Sequence, residues 1–442
     1  MNPEFQRNLW IELTPKRLAL MAAILGLLFF AVSSAGLPLA ETARRVMLLI
    51  LVLWGTRNAA MSVVGEIRDR TWDFQRLSSL SPAAMAFGKL FGSTIYNWFG
   101  AALCLPVVLV GFTISQGLGA ALVALIFCLC LAIVAQAASL LASLIAIRRR
   151  QSHTRLDVFI YQAVGLIAAA LVTYLWTAPD LPKFVLDIPV IQWWGIAFAP
   201  RAFYLASLAL LAGWTLVGCY RAMRTELQIQ NSPLVWVGFL LFIGVYFAGL
   251  DSLVVDRSSP PGILRLLMVT LIFGFFTYVM ILLEPKDGVH LRWLGAQLRT
   301  GKLTELFGGL YAWIVSYLAT IAAACVPLGY LLVIGNMSRF AFFFAALGFL
   351  TRDVGLFLLL RTRGQRPMSD WPGIMVLIAL YALMPFVLHG IGADDGLFVF
   401  YPYVFGKAPY TLVALAPWIE AALVLAFAFR RLALPETQPA RK

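Results

Sequence analysis

Residues 65–89, GEIRDRTWDFQRLSSLSPAAMAFGK, stand between two apolar runs, 45–64 and 90–114. This polar segment carries seven charged side chains in a chain of 442 residues of which only 12% are charged. A helix of about 20 apolar residues crosses a hydrocarbon core of about 30 Å, and each flanking run is of that order. The same alternation of long apolar run and short polar segment fills the chain. Apolar runs fall at 16–36, 45–64, 90–114, 119–147, 158–177 and 199–220, and again at 234–250, 263–283, 309–334, 340–360, 372–390 and 411–429. Residues are 61% apolar and 13% aromatic, with a mean hydropathy of +0.86; a soluble domain is about 45–50% apolar. The composition excludes an ordinary soluble domain. It specifies an all-α polytopic membrane helix bundle of about 12 transmembrane helices.

A net charge of +13 would suit nucleic acid, but the basic residues lie in short loops, with no basic arm or stacking platform. Anionic lipid headgroups are the expected neighbours, and nucleic acid is not. The cysteines, Cys104, Cys128, Cys130, Cys219 and Cys325, all lie within apolar runs, which gives no disulfide framework. His153, His290 and His389 are far apart and carry no ligand-like spacing, so no metal site is expected. Acids and proline precede the first apolar run and no cleavage-like site follows it, unlike a signal peptide. Phe5, Leu9, Trp10 and Leu13 recur at helical spacing. Residues 1–15 therefore read as a short interfacial helix, with Thr14 as cap and Pro15 in the first turn of the next.

With the N-terminus placed inside, 24 of the 34 lysines and arginines fall in cytoplasmic segments and only eight outside. Those eight are Arg44, Arg45, Lys183, Arg201, Arg257, Arg265, Arg339 and Lys407, while Arg57 and Arg352 lie within spans. This excess places both termini in the cytoplasm. Arg148-Arg149-Arg150 reads as an anchor of the same kind, and "FAFFF" (340–344) and Trp193-Trp194 as lipid-facing or interfacial positions. No loop is long enough for a soluble domain.

An internal repeat is visible. Trp72 lies 34 residues before Pro106 and Trp293 lies 34 residues before Pro327, each following an acid, Glu66 or Glu284, at the end of an apolar run. The basic loops RRRQSHTRLD and RTRGQRPMSD come two spans later in each case. The expected organisation is an interfacial helix over 1–15 and a first six-helix half over 16–220. A link over 221–233, a second half over 234–429 and a tail over 430–442 follow.

The 65–89 segment itself reads as helix, break, helix. EIRDRTWDFQRL is amphipathic, with Ile67, Phe74 and Leu77 on one side. SSLSP then stops it, and Ser81-Pro82 begins the next helix. In this register the segment resembles the first intracellular coupling element of ABC type-2 exporter permeases. That family shows an acid, a threonine five residues on, another acid, Ser/Pro turn residues and a Gly-Lys pair entering the next span. Here these are Glu66, Thr71, Asp73, Ser81, Pro82, Gly88 and Lys89. The interfacial helix adds to the resemblance, which covers roughly residues 1–110.

The resemblance implies that Arg70, Trp72 and Arg76, with those seven, couple the permease to a separate ABC ATPase subunit. Two such subunits would bind per complex and carry ATP and magnesium; this chain would hold no cofactor and catalyse nothing itself. It further implies export across a bacterial cytoplasmic membrane. The second-half counterpart, EPKDGVHLRWLGAQLRTGKLTEL (284–306), lacks the Thr-x-Asp and Ser-Pro elements. Glu284, Arg292, Trp293 and Arg299 are the candidates for a second coupling element there. The chain's Gly-Lys pairs are followed by Leu90, Leu303 and Ala408 rather than Ser or Thr, so none is a P-loop.

A rival reading is a stand-alone twelve-helix transporter of the major facilitator type, whose loop motif Gly65, Asp69 and Arg70 match; Trp72 and Asp73 depart from it. Charged residues within spans, Arg57, Arg352, Asp353 and Glu420, line a pathway or satisfy one another, with Arg57 or Arg352 against Glu420. Asn97 and Gln136 read as interhelical hydrogen-bond partners. No nucleophile–base arrangement accompanies them, so no enzyme site is expected. Apolar walls with few buried charges favour a lipidic or amphipathic cargo.

Overall fold

Capping chemistry sets the first two helices. The Asn2 side chain accepts hydrogen bonds from the amides of Glu4 and Phe5 at 3.1 and 3.4 Å, and α1 runs Pro3–Glu12. Helix α2, Pro15–Ser34, starts on its proline; Thr14 holds the cap position, but its side chain makes no capping bond. The computed structural model describes residues 2–78, 80–148, 155–177, 190–251, 260–284, 286–361, 371–404, 406 and 408–433. Arg149 and Arg150 fall outside them.

Two compact units divide the chain. The first comprises Met1–Ile191 and Ile196–Asn231, the second Gln192–Gly195 and Ser232–Lys442. In the first, α3 (Leu39–Arg68) leads to two short helices, α4 (Trp72–Arg76) and α5 (Pro82–Phe87). Four long helices follow: α6 (Ile95–Gln116), α7 (Leu118–Arg148), α8 (Arg155–Thr177) and α9 (Pro200–Glu226). In chain order two short strands, β1 (Ile191–Trp193) and β2 (Ile196–Phe198), precede α9. The core gathers Met47, Leu51, Cys104, Val108 and Leu131, and toward the polar segment Val63, Trp72, Met85, Leu140 and Met223.

The second unit holds α10 (Leu234–Ala248) and α11 (Pro261–Leu283), then short helices α12 (Gly288–Arg299) and α13 (Leu303–Gly309). It continues with α14 (Ala312–Val333), α15 (Met337–Arg361), α16 (Pro372–Gly390) and α17 (Tyr410–Ala433). Helices α15 and α17 approach closely because small residues line their contact. A Cβ on Gly348 would come within 2.8 Å of Pro417, and one on Gly355 within 3.0 Å of Val424.

Among the described residues eleven helices are long and apolar enough to cross a membrane. The fold is an all-α polytopic membrane bundle. Every expected apolar run is helical, but α10 has only 15 residues, about 22 Å at 1.5 Å per residue. Two tryptophans cap it early. The Trp193 indole donates to the Tyr246 carbonyl at 2.9 Å and the Trp194 indole to Val245 at 3.3 Å. These indoles thus cap a helix rather than simply facing lipid. Phe344 is also turned inward, its ring 5.1 Å from that of Trp418.

The single amphipathic helix expected over 66–77 is interrupted. Helix α3 ends at Arg68, and Arg70 adopts φ 58°, the left-handed region usually held by glycine. The Thr71 amide then donates to the Glu66 carbonyl at 2.8 Å and the Arg70 amide to Ile67 at 3.1 Å. These two bonds close the helix and turn the chain into α4. Placing a side chain in this conformation costs about 1–2 kcal/mol. Arg70→Gly should therefore raise stability by roughly 1 kcal/mol, and Arg70→Val should lower it; thermal unfolding in detergent reads both.

Candidate functional site

A buried lysine organises the polar segment. Lys89 is 1% exposed and lies in a π turn, Gly88–Gly92, that joins α5 to α6. Its ammonium pairs with Glu4 of α1 at 2.9 Å and with Glu66 at the end of α3. Glu66 also accepts from Arg7 at 2.7 Å and from Gln75 at 2.5 Å. Helix α1 can approach because the π turn carries glycines: a Cβ on Gly88 would meet Glu4 at 2.5 Å, and one on Gly92 would meet Asn8 at 2.9 Å. Asn2 donates to the Ala84 carbonyl at 2.5 Å, tying α1 to α5 as well. The Trp72 ring is 4% exposed, with the Lys89 ammonium 5.8 Å from its centre. Ser93 and Thr94 hydroxyls take the Lys89 and Leu90 carbonyls at 2.6 and 2.7 Å.

The remaining residues of the segment divide into pinned and free. Ser81 caps α5 at the Ala84 amide, 3.2 Å, and Pro82 fills its first turn. Thr71 donates its hydroxyl to the Glu66 carbonyl at 3.3 Å. Arg76 turns back to the Glu226 carbonyl at the end of α9, 3.0 Å away, and lies 3.7 Å from Asp73. Asp73 is 87% exposed, and Arg70, Phe74 and Leu77 are exposed beside it. Ile67, Phe74 and Leu77 accordingly do not form one packed face. The tip presents two apolar side chains among charges, and the base is locked.

In the second unit the corresponding residues behave differently. Glu284 accepts from the Trp313 amide at 3.1 Å, and the buried Lys286 lies 5.6 Å over the Phe357 ring. Asp287 caps α12 at Val289, 3.0 Å. His290 bonds the Gly309 carbonyl at 2.8 Å and stacks on Trp293, ring centres 5.3 Å apart. Trp293 is 38% exposed where Trp72 is buried. Arg292 and Arg299 are on the exposed side of α12. The two units thus share a helix-terminal glutamate, a buried lysine and a tryptophan, and each segment exposes apolar side chains, Phe74 and Leu77 in the first and Val289, Leu298 and Phe307 in the second.

A second π turn, Leu49–Trp54, lies within α3. Three neighbouring helices each send an amide to it. Asn97 of α6 donates to Ile50 at 3.0 Å, Gln136 of α7 to Leu51 at 2.9 Å and Gln162 of α8 to Leu53 at 2.9 Å. Thr56 takes the Val52 carbonyl at 2.6 Å, and Asn58 donates to Asn97 at 2.8 Å. A π turn releases main-chain carbonyls from the α-helical ladder, and in hydrocarbon those groups require protein donors. Asn97 and Gln136 are interhelical partners, as their positions suggested. Arg57, one turn on, is exposed and makes no ion pair among the described residues.

The third π turn, Ala379–Leu383 in α16, presents Tyr381 to a buried ion pair. Asp353 accepts from Tyr381 at 2.6 Å, Tyr278 at 2.7 Å and the Arg352 Nε at 3.0 Å. Arg352 Nη1 reaches Glu420 of α17 at 2.8 Å, so Arg352 rather than Arg57 is its partner. The close packing at Gly348 and Gly355, one turn either side of Arg352, brings the two helices within reach. Arg352 is 3% and Glu420 30% exposed. Sequence reading missed Glu4, Arg7, Tyr278 and Tyr381 because their partners lie 85, 59, 75 and 28 residues away and leave no local pattern, and missed Gln75 because an uncharged side chain on a polar helix carries no signal.

No family model, curated protein or solved structure matches this chain.

Two stability measurements follow from these geometries. Lys89→Met removes the buried cation from Glu4 and Glu66 and leaves them only the half-exposed Arg7, and should cost about 3 kcal/mol; Asp73→Lys should leave the melting temperature unchanged. Arg352→Leu strands two carboxylates and should cost a similar amount, about 3–5 kcal/mol. Glu420→Gln keeps an acceptor for Arg352 and should cost less than about 1.5 kcal/mol. Thermal unfolding of the purified variants checks both orders.

Proposed function

We propose that the chain is the membrane-spanning permease of an ATP-driven exporter of the ABC type-2 kind, energised by a separate ATPase subunit. The observation that carries this reading is the build of residues 65–89: a base fixed by Lys89, Glu4 and Glu66, and a tip at 69–78 that offers Asp73, Phe74 and Leu77 to a partner. A partner pressing on that tip displaces a braced object. Arg76 connects it to the end of α9, Glu66 to α3, and the glycine-lined π turn to α6. Movement of the ATPase on binding and hydrolysing ATP is then transmitted to three long helices, biasing the bundle between inward- and outward-facing states. Two ATPase copies with magnesium and ATP serve one complex, in a bacterial cytoplasmic membrane with both termini inside. The cargo is lipidic or amphipathic. The second unit's segment, which lacks the Thr-x-Asp and Ser-Pro elements, couples differently or not at all.

A second reading, a stand-alone facilitator-type transporter, draws on the carboxylates Asp353 and Glu420 within spans, since intramembrane acids serve proton relays. Affinity purification from the native membrane separates the two. An ATPase should accompany the unmodified protein and be lost from Asp73→Lys combined with Phe74→Ala, both of which leave the buried base intact. Equal recovery with both proteins would sink the coupling role of the tip. A folded protein with no ATPase, whose transport collapses with the proton gradient, would establish the second reading instead.

A further inference from the structure

The Arg352 cluster has one negative charge in excess, and that charge is localised. Asp353 is met by three donors, from Tyr278, Tyr381 and Arg352. Glu420 is met by one, Arg352 Nη1 on Oε2, and its 30% exposure leaves the other oxygen reachable. Ten residues into α17 from Tyr410, Glu420 lies about 15 Å along the helix, near the middle of the hydrocarbon. A carboxylate there is costly unless a cation meets it. Its neighbours on the helix, Ile419 and Leu423, are exposed and apolar, so the way to it is through an apolar surface. Arg352 Nη2, buried within the cluster, has no acceptor in the structure.

We propose that Glu420 is the charge-recognising end of a binding site for an amphiphilic ammonium, whose alkyl chain lies along Ile419 and Leu423 and whose N–H groups bond the free carboxylate oxygen. A metal ion does not fit. Hard cations need several oxygens, whereas one free carboxylate oxygen is offered here, and no group of three or more His, Cys, Asp or Glu that could hold a metal occurs among the described residues. An ammonium restores neutrality with a single charge-assisted bond, and its apolar body remains in hydrocarbon. The inference narrows the cargo class of the permease reading and rests on it only for transport; binding stands by itself.

The test uses the full-length protein in nanodiscs of phosphatidylcholine, with radiolabelled dodecylamine as probe and dodecanol and dodecyl sulfate as competitors. Saturable binding is expected, unaffected by either competitor. It should weaken at least about 10-fold in Glu420→Gln and be largely kept in Glu420→Asp. The competitor series needs no variant, so it decides the charge requirement even if Glu420→Gln folds poorly. Binding that dodecanol displaces, or that survives Glu420→Gln unchanged, overturns the proposal. So does an absence of saturable binding accompanied by a pH dependence of melting that Glu420→Gln abolishes, which would make Glu420 a proton site alone. Dodecylamine binding with no ATPase partner and no transport would uphold the site and discard the permease reading.

Discussion

Hydrocarbon supplies no hydrogen-bond partner, so each polar group placed in it must be met by the protein itself. Among the described residues the chain departs from regular α-helix at three π turns, two inside long helices and one joining α5 to α6, and each is accompanied by polar side chains that meet this demand. At Leu49–Trp54 three amides from three helices hold the released carbonyls. At Gly88–Gly92 two hydroxyls do so, and the turn delivers Lys89 to two glutamates. At Ala379–Leu383 the turn points Tyr381 at Asp353. The irregular backbone and the buried charge are one arrangement: widening the helix by one residue aims a side chain where regular geometry would not.

The division within residues 65–89 follows from the same demand. Charges that must be buried are used as fasteners, and charges left in water remain available. Lys89 with Glu4 and Glu66 forms a compact, desolvated group whose members fix each other. Exposed pairs such as Arg76 with Asp73 contribute little to stability by comparison. Placing the fasteners at the base gives a stiff support under a tip whose chemistry can vary without unfolding the bundle.

Much of the architecture was legible in the order of residues. Apolar runs located every long helix, Ser81-Pro82 marked the start of α5, and the intramembrane charges offered Arg57 or Arg352 to Glu420, of which Arg352 makes the pair. What escaped was set by geometry rather than composition. Leu49–Trp54 reads as plain apolar helix, since a π turn needs no special residue. Arg70 hides a helix end, because the left-handed position is normally signalled by glycine. Trp193 and Trp194 looked like membrane-interface aromatics, yet their indole N–H groups cap α10 some fifty residues away. Lys89 was visible only as the end of a Gly-Lys pair; nothing in its neighbourhood announced a partner in the first turn of the chain.

That last pairing has a consequence for how the protein is made. Glu4 precedes Lys89 by 85 residues, so at about 5–20 residues per second α1 is synthesised roughly 4–17 s before the group it closes on exists. During that interval the first two spans enter the membrane with α1 undocked and Glu4 and Glu66 still hydrated. Arrival of α5 and its π turn then draws both acids out of water together. The contact that fastens α1 therefore cannot form until the residues that open the third span have been made.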